Sequence, residues 1–307
     1  MSSGVASSSV DLLSHVEAGG LIGRDRPVVV LLSGGRDSTC LLDVCVQLGA
    51  RASALHVNYG LREEAGSEEE HCRALCRRLE VELEVEHAER AEGNTQAWAR
   101  DVRYAVGTRL AAARGADLAA AHTATDQVET VLYRLASSPG RRALLGMVPR
   151  SGLLVRPLLD VTRAETAAWC RSRGLTWVDD ASNEDALFAR ARVREGLVPA
   201  LRAVDARAEA NILRTAALLR DEAEVLDAVV ATALAGRDRI AVEHLRELPP
   251  ALGRLVVRRL AEDALGAPVP RAVARFEDLL ALDGALDVGD GARAVVERGM
   301  LRFERTP

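Results

Sequence analysis

The chain has 307 residues, a formal net charge of −5, 48% hydrophobic and 28% charged residues, an ordinary globular composition in a length that suits two domains. Five cysteines, an odd number, give no disulfide framework, and no stretch approaches the ~20 uninterrupted apolar residues of a membrane span. All 40 basic side chains are arginine, which excludes a catalytic lysine and with it the Walker loop.

The start, MSSGVASSSVDLLSHVEAGG, has neither a basic n-region nor an apolar h-region, so a cytoplasmic location is expected. Short apolar or alternating runs at 28–32, 52–57, 81–87 and 117–122 are each followed by a helical spacing of Leu, Ala and Val. This alternation predicts the α/β class: a parallel, doubly wound sheet covered on both faces, with ligands at the carboxyl ends of its strands. A fifth strand is expected within 153–159. A helix then begins at Thr162, with Glu165 in the capping-box place, and runs to Arg173, where Gly174 ends it. Residues 186–234 read as two long helices divided near Val204 and Asp205, with Pro199 kinking or ending the first. The remainder, 239–305, starts with helical patterns and finishes in short strands about an Arg298–Gly299 hairpin turn, a small α+β unit.

The strand ends carry the chemistry. In VVVLLSGGRDS an apolar strand stops at Ser33, Gly34 and Gly35 and restarts as a helix near Ser38. Two glycines let the backbone approach an anion, and the amides opening the next helix point at it with the dipole behind them. Ser33 and Ser38 add hydroxyl donors, and Asp37 is placed to hold a magnesium ion against phosphates. After the fourth strand, His122 precedes Asp126, Glu129 and Thr130 at the start of a helix. Asp126 and Glu129 are three apart and share one face, where they suit an amine or a metal; acids in a first turn also serve simply as dipole partners. His71, Cys72 and Cys76 lack a second ligand pair for zinc, and Cys40, Cys45 and Cys170 fall at apolar helix positions that suit buried thiols. Residues 134–220 hold 15 arginines against nine acids within an otherwise acidic chain, which suits a polyanionic partner such as RNA.

The SGGRDS run resembles the pyrophosphate loop, or PP-loop, of the ATP pyrophosphatases. Further runs follow: HVNYGLR at 56–62, AWARDVRY at 97–104, HTATDQVET at 122–130, LLGM at 144–147, RPLLDVTRAE at 156–165, and WVDDASNED at 177–185 with RARVR at 190–194. Over about residues 26–203 they stand in the order seen in the bacterial tRNA(Ile)-lysidine synthetase family. That resemblance implies an adenine nucleotide alpha hydrolase-like fold and a ligase reaction. ATP adenylates the C2 oxygen of the wobble cytidine in a CAU anticodon, and the amine of free L-lysine then displaces AMP. ATP and Mg2+ are the implied cofactors, tRNA(Ile) and L-lysine the implied partners, and a homodimer the assembly it suggests.

Carried over residue by residue, the resemblance assigns Ser33, Gly34, Gly35, Arg36, Asp37 and Ser38 to ATP, Asp37 also to magnesium, and His56 and Asn58 to the neighbourhood of the adenosine. Asp126 and Glu129 face lysine, whose ammonium calls for carboxylates and whose attack requires a proton acceptor. Arg103 balances charge developing on the phosphates. Arg141, Arg142, Arg190 and Arg194 reach phosphates of tRNA or ATP. The chain departs from the family pattern at Tyr59, Thr125, Ser137, Ser138 and Ala191, where His, Asp, an Arg-Gly pair and Asn are usual. The expected organisation is an N-terminal extension (1–25), an ATP-binding catalytic domain (26–185), a helical arm (186–234) and a small tRNA-contacting domain (235–307). Two other readings are a tRNA thiolase of the same superfamily, disfavoured by the lack of a CxxC pair, and a tRNA-binding protein without catalysis, disfavoured by the intact Asp37, Asp126 and Glu129.

Overall fold

The computed structural model describes residues 12–60, 65–88, 95–138, 140–178 and 189–306. The chain divides into two compact units, Met1–Leu219 and Arg220–Pro307. Among the described residues no helix is long and apolar enough to cross a membrane.

The first unit is built on strands β1 (Pro27–Leu31), β2 (Arg51–Asn58), β3 (Glu82–His87), β4 (Asp117–Ala119), β5 (Arg150–Ser151) and β6 (Leu154–Val155). They lie in the order β3-β2-β1-β4-β6-β5, parallel throughout except where β5 runs antiparallel to β6. The run Val28–Val30 is fully buried because both faces of the sheet are covered, the expected fate of β-branched residues in a central parallel strand. On one face, residues 12–18 (α1), Arg36–Gln47 (α2), Ala65–Leu79 (α3) and, after the sheet, Arg163–Ser172 pack Leu12, Leu41, Val44, Leu75 and Trp169 against Val28 and Val30. On the other, α4 (Thr95–Ala113) brings Val106 and Ala111 onto Val29, Leu31 and Leu118. Gly107 makes that approach possible, since a Cβ there would sit 2.9 Å from a Leu118 methyl.

β1 is flanked by β2 on one side and β4 on the other, so successive crossovers leave it in opposite directions. A crevice therefore opens at the carboxyl ends of β1 and β4, the place where such sheets bind ligands. The chain after β4 enters α5 (Ala124–Ser137) and the short α6 (Arg141–Leu144); α7 (Arg163–Ser172) follows the sheet.

Several expected elements are shorter than the sequence suggests. The fifth strand is confined to Leu154–Val155 and forms a small hairpin with β5 about Gly152 (φ +59°). Pro157 has no amide to continue a ladder, and the chain turns there through Leu159 N to Arg156 O and Val161 N to Leu158 O. The fourth strand stops at Ala119, with only the Ala120 amide adding a bond, to Val155 O. The capping box on α7 is present as expected: the Thr162 amide and hydroxyl both donate to Glu165 Oε2, at 2.7 and 2.6 Å. Pro199 does not end a helix. Residues Ala189–Arg192 (α8) pass into a π-turn at Val193–Leu197, and Pro199 lies in the first turn of α9 (Val198–Val204), where its missing amide costs nothing. The break at Asp205 separates α9 from α10 (Ala208–Leu234).

In the second unit, β7 (Arg239–Ala241), β8 (Gly284–Gly289), β9 (Ala292–Glu297) and β10 (Met300–Arg305) form an antiparallel sheet in the order β7-β10-β9-β8. Helices α11 (Val242–Glu247), α12 (Pro250–Leu265), α13 (Pro270–Ala274) and α14 (Phe276–Leu280) share its core, with Val256, Val257, Leu260 and Phe276 meeting Ala294, Leu301 and Phe303. The hairpin turn falls at Arg298 (φ 51°) and Gly299 (φ 75°), and the Glu297–Met300 pairing closes it as a two-residue turn with both φ positive.

Candidate active site

The loop after β1 is held by its two serines. The Ser33 amide donates to Ser38 Oγ at 3.2 Å, Ser38 Oγ donates to the Gly35 carbonyl at 2.9 Å, and the two hydroxyls lie 3.1 Å apart. Gly34 has φ +83°, and a Cβ there would stand 3.3 Å from Cys72 Sγ and 3.6 Å from the His71 ring. Gly35 is the N-cap of α2 and brings no side-chain acceptor, so the helix opens with no capping bond. Glycine thus provides both the backbone turn and an open approach to the helix N-terminus, the geometry of an anion cradle. His71, considered from sequence only beside Cys72 and Cys76, lines this loop. Its buried Nε2 has no hydrogen-bond partner among the described residues.

Asp37 points from the first turn of α2 toward α7. Its Oδ1 accepts from Thr166 Oγ1 at 2.6 Å and from Arg36 Nε at 3.0 Å, and Oδ2 pairs with Arg163 Nε at 3.7 Å. Arg36 Nε also reaches Thr166 Oγ1, at 3.2 Å. At the carboxyl end of β4, Thr123 caps α5 and Asp126 closes the capping box, with Oδ2 accepting from both the amide and the hydroxyl of Thr123 at 2.8 Å. Asp126 therefore does serve its helix, but with one oxygen only. Oδ1 accepts from Arg163 Nη2 at 2.8 Å, and Glu129 Oε1, on the same face, lies 3.6 Å from Arg163 Nη1.

Arg163 is the centre of the arrangement, and sequence reading passed over it. Burial works against its charge, but the carboxylates of Asp126, Glu129 and Asp37 outweigh burial and hold the guanidinium above its ordinary value. The only signal in the sequence was its place in RPLLDVTRAE, directly after the capping residue Thr162.

Beside Asp126 lies a basic wall. Burial pushes the His122 imidazole down to about 4 against the pull of Asp126, and Arg156, Arg100 and Arg103 add to the depression. Arg103 sits with its guanidinium 5.5 Å from the Tyr104 ring centroid, and its buried Nε has no hydrogen-bond partner among the described residues, nor have His122 Nδ1 and Arg156 Nε. Among the described residues these are buried donors and acceptors left unmatched.

Other expected site residues are held by contacts of their own. His56 is buried, its Nδ1 2.9 Å from the Leu32 carbonyl and 3.4 Å from Cys72 Sγ, so it secures the end of β1 from beneath. The Asn58 amide donates to Glu69 at 2.9 Å and its oxygen accepts from the Gly60 amide, a turn-forming role. Tyr59 donates to the Ala99 carbonyl and packs edge-on against Trp98 with centroids 5.7 Å apart. Arg141 and Arg142 open α6, and Arg141 Nη1 is buried with no hydrogen-bond partner among the described residues. Arg194 lies in the π-turn, 3.6 Å from Glu195, and Arg190 belongs to α8. The side chain of Arg190 lies outside the described residues, as do Arg62, Gly93, Asn94 and the acidic part of WVDDASNED. For magnesium, the donor set is one carboxylate, Asp37, beside the glycine loop; this fits an ion that takes most of its ligands from phosphates and water.

A family profile described as a PP-loop domain, ATP_bind_3, matches residues 11–201. A tRNA(Ile)-lysidine synthase from Nocardia farcinica is 35% identical over 317 residues, covering 96% of this chain and 98% of that protein. The chain belongs to the tRNA(Ile)-lysidine synthase family of PP-loop proteins. A family member from Pseudomonas fluorescens is 39% identical over 208 residues, covering 64% of this chain and 47% of that protein, so the chain spans about half the length of this relative. Among solved structures, the U34-tRNA thiolase NcsA from Methanococcus maripaludis superposes with a TM-score of 0.58 at 17% identity, covering 68% of this chain and 78% of that one. That likeness is one of fold.

Proposed function

We propose that the chain makes lysidine in tRNA(Ile) bearing a CAU anticodon, using ATP and free L-lysine. The observation that carries this reading is that Asp37 of the anion loop and Asp126 and Glu129 of α5 are joined through one arginine, so a phosphate cradle and a cation-binding acid pair form a single site. In the first step the cytidine C2 oxygen forms a bond to the α-phosphorus of ATP, and the bond to pyrophosphate breaks. The loop Ser33–Ser38 binds the phosphates through backbone amides and serine hydroxyls. Asp37 would hold a magnesium ion, which supplies charge neutralisation on the phosphates when bound. Arg103, with Arg100 and Arg156, which like it bear on His122, is proposed to supply cations for the phosphates of nucleotide and RNA. In the second step the lysine amine, received by Asp126 and Glu129, forms a bond to C2 while the C2–O bond to AMP breaks. Arg141, Arg142, Arg190 and Arg194 are proposed to contact tRNA.

A sulfur-transferring reading fits these residues less well. Cys40, Cys45, Cys72, Cys76 and Cys170 are all buried, and burial pushes the Cys45 and Cys72 thiols up to about 12 and that of Cys76 to about 11, which keeps them poor nucleophiles at neutral pH. The deciding experiment is pyrophosphate release from ATP and Mg2+ with lysine and either tRNA(Ile) carrying CAU or methionine tRNA. Release with tRNA(Ile) alone, accompanied by lysine incorporation, supports the reading; release without lysine uptake points to another adenylating enzyme. Asp126→Asn should keep pyrophosphate release nearly intact and strongly reduce lysidine formation.

A further inference from the structure

Arg163 is the first residue of α7, where a cation faces the positive end of the helix dipole and gains nothing from the helix. Its partners lie elsewhere: Asp126 at 2.8 Å, Glu129 at 3.6 Å and Asp37 at 3.7 Å. Thr123 already claims Asp126 Oδ2, so Arg163 holds the one oxygen of Asp126 that remains for the site.

The proposed reaction puts conflicting demands on this acid pair. Carboxylates that attract the ammonium of lysine also stabilise its proton, and a protonated nitrogen has no lone pair with which to attack C2. A permanent cation nearby resolves the conflict, because a like charge next to an amine favours its neutral form and a guanidinium does not titrate in the working range. We propose that Arg163 is a positioning residue that, from its place between Asp126, Glu129 and Asp37, makes the bound substrate amine easier to deprotonate. The ammonium releases its proton to solvent water, the freed lone pair forms the C–N bond, and the C2–O bond breaks with its electron pair leaving on AMP. This rests on the reading that Asp126 and Glu129 receive the lysine amine.

The charged groups facing the position are Arg36 and Asp37 from α2, Asp126 and Glu129 from α5, Glu165 on α7 itself, bound to Thr162, and His122 after β4 with Arg100, Arg103 and Arg156 about it. His122 titrates near 4, well below the range in which an amine loses its proton.

The test separates the second step from the first. Enzyme, ATP and tRNA are incubated without lysine so that the adenylate accumulates, and lysine transfer is then followed from about pH 6 to about pH 10. In Arg163→Gln the midpoint of the rising limb should move up by about one unit or more, while Arg163→Lys, which keeps the charge, should hold it near the wild-type value. An unmoved midpoint in Arg163→Gln, or an equal shift in both variants, would overturn the proposal. If Arg163→Gln does not fold, the wild-type midpoint decides. It should lie at least a unit below the ~10.4 of a free lysine amine, and a midpoint near that value would also overturn it. The Michaelis constant for lysine in Asp126→Asn and Glu129→Gln distinguishes the two layers. An unchanged constant in both removes the underlying reading, and a raised constant with an unmoved Arg163→Gln midpoint removes only the role of Arg163.

Discussion

Thr166 on α7 donates its hydroxyl to Asp37 Oδ1 on α2 at 2.6 Å, across 129 positions of the chain. Thr166 is fully buried, and its oxygen also meets Arg36 Nε, so the carboxylate beside the phosphate loop is aimed by a helix that arrives after the whole sheet has been laid down. Thr166→Val keeps the shape and removes this donor. Unfolding in urea should show a loss of about 1.5–3 kcal/mol, the usual worth of a hydrogen bond to a charged group. Pyrophosphate release should require several-fold more Mg2+ as Asp37 loses its orientation, and Thr166→Ser should restore both.

The loop itself depends on Ser38, which is almost fully buried and links the Ser33 amide to the Gly35 carbonyl through one hydroxyl. Ser38→Ala leaves the glycines in place but removes the cross-link that fixes their conformation. The Michaelis constant for ATP should rise by about tenfold, corresponding to one or two hydrogen bonds of about 1 kcal/mol, with a much smaller change in the constant for lysine. Equal increases in both would show that the serine supports the whole crevice and not the nucleotide loop.

What could be read from sequence follows the range of the physics involved. The Ser33–Ser38 loop, the Thr162–Glu165 capping box and the Arg298–Gly299 hairpin are decided within a few residues, and each appears in the structure where the sequence puts it. The β1–β4 crevice was legible because alternating strands and helices permit few sheet topologies. Arg163 was not legible, since its meaning comes from three carboxylates on two other helices brought together by that topology. The bond from the Asn58 amide to Glu69, eleven positions on, was hidden for the same reason, since only the packed α3 reveals it.

Gly146 tests how the segment after α6 is fixed. It has φ +65°, and a Cβ there would fall 2.5 Å from Gln127 Oε1. The buried Gln127 amide both accepts from the Met147 amide at 2.6 Å and donates to its carbonyl at 2.8 Å, pinning the segment to α5. Gly146→Ala must strain the backbone and push Gln127 off this paired contact. A destabilisation of about 2–4 kcal/mol is expected in urea unfolding of the full chain, combining positive-φ strain with a lost buried bond. Gln127→Ala alone should cost less than Gly146→Ala, because it loses the paired contact to Met147 without adding positive-φ strain or a clash at position 146.

Two groups set separate windows in the pH dependence of stability. The His122 imidazole falls from an ordinary 6.5 to about 4 on folding, chiefly through burial, so between those values the unfolded chain binds the extra proton. Its contribution is complete above about pH 6.5 and disappears as pH falls through 4. Glu69 is lowered from 4.5 to about 2, first by the Asn58 amide and then by Arg73, so its contribution is complete above about 4.5 and is lost as pH falls toward 2. Acidification should therefore weaken the fold first through His122 and then through Glu69. Urea unfolding measured at successive pH values should show the slope between 6.5 and 4 flattened in His122→Gln, with the lower limb unchanged. In Glu69→Gln the lower limb should flatten while the upper one persists. If each variant instead altered both limbs alike, acid sensitivity would belong to the summed carboxylates of the unit and not to these two sites.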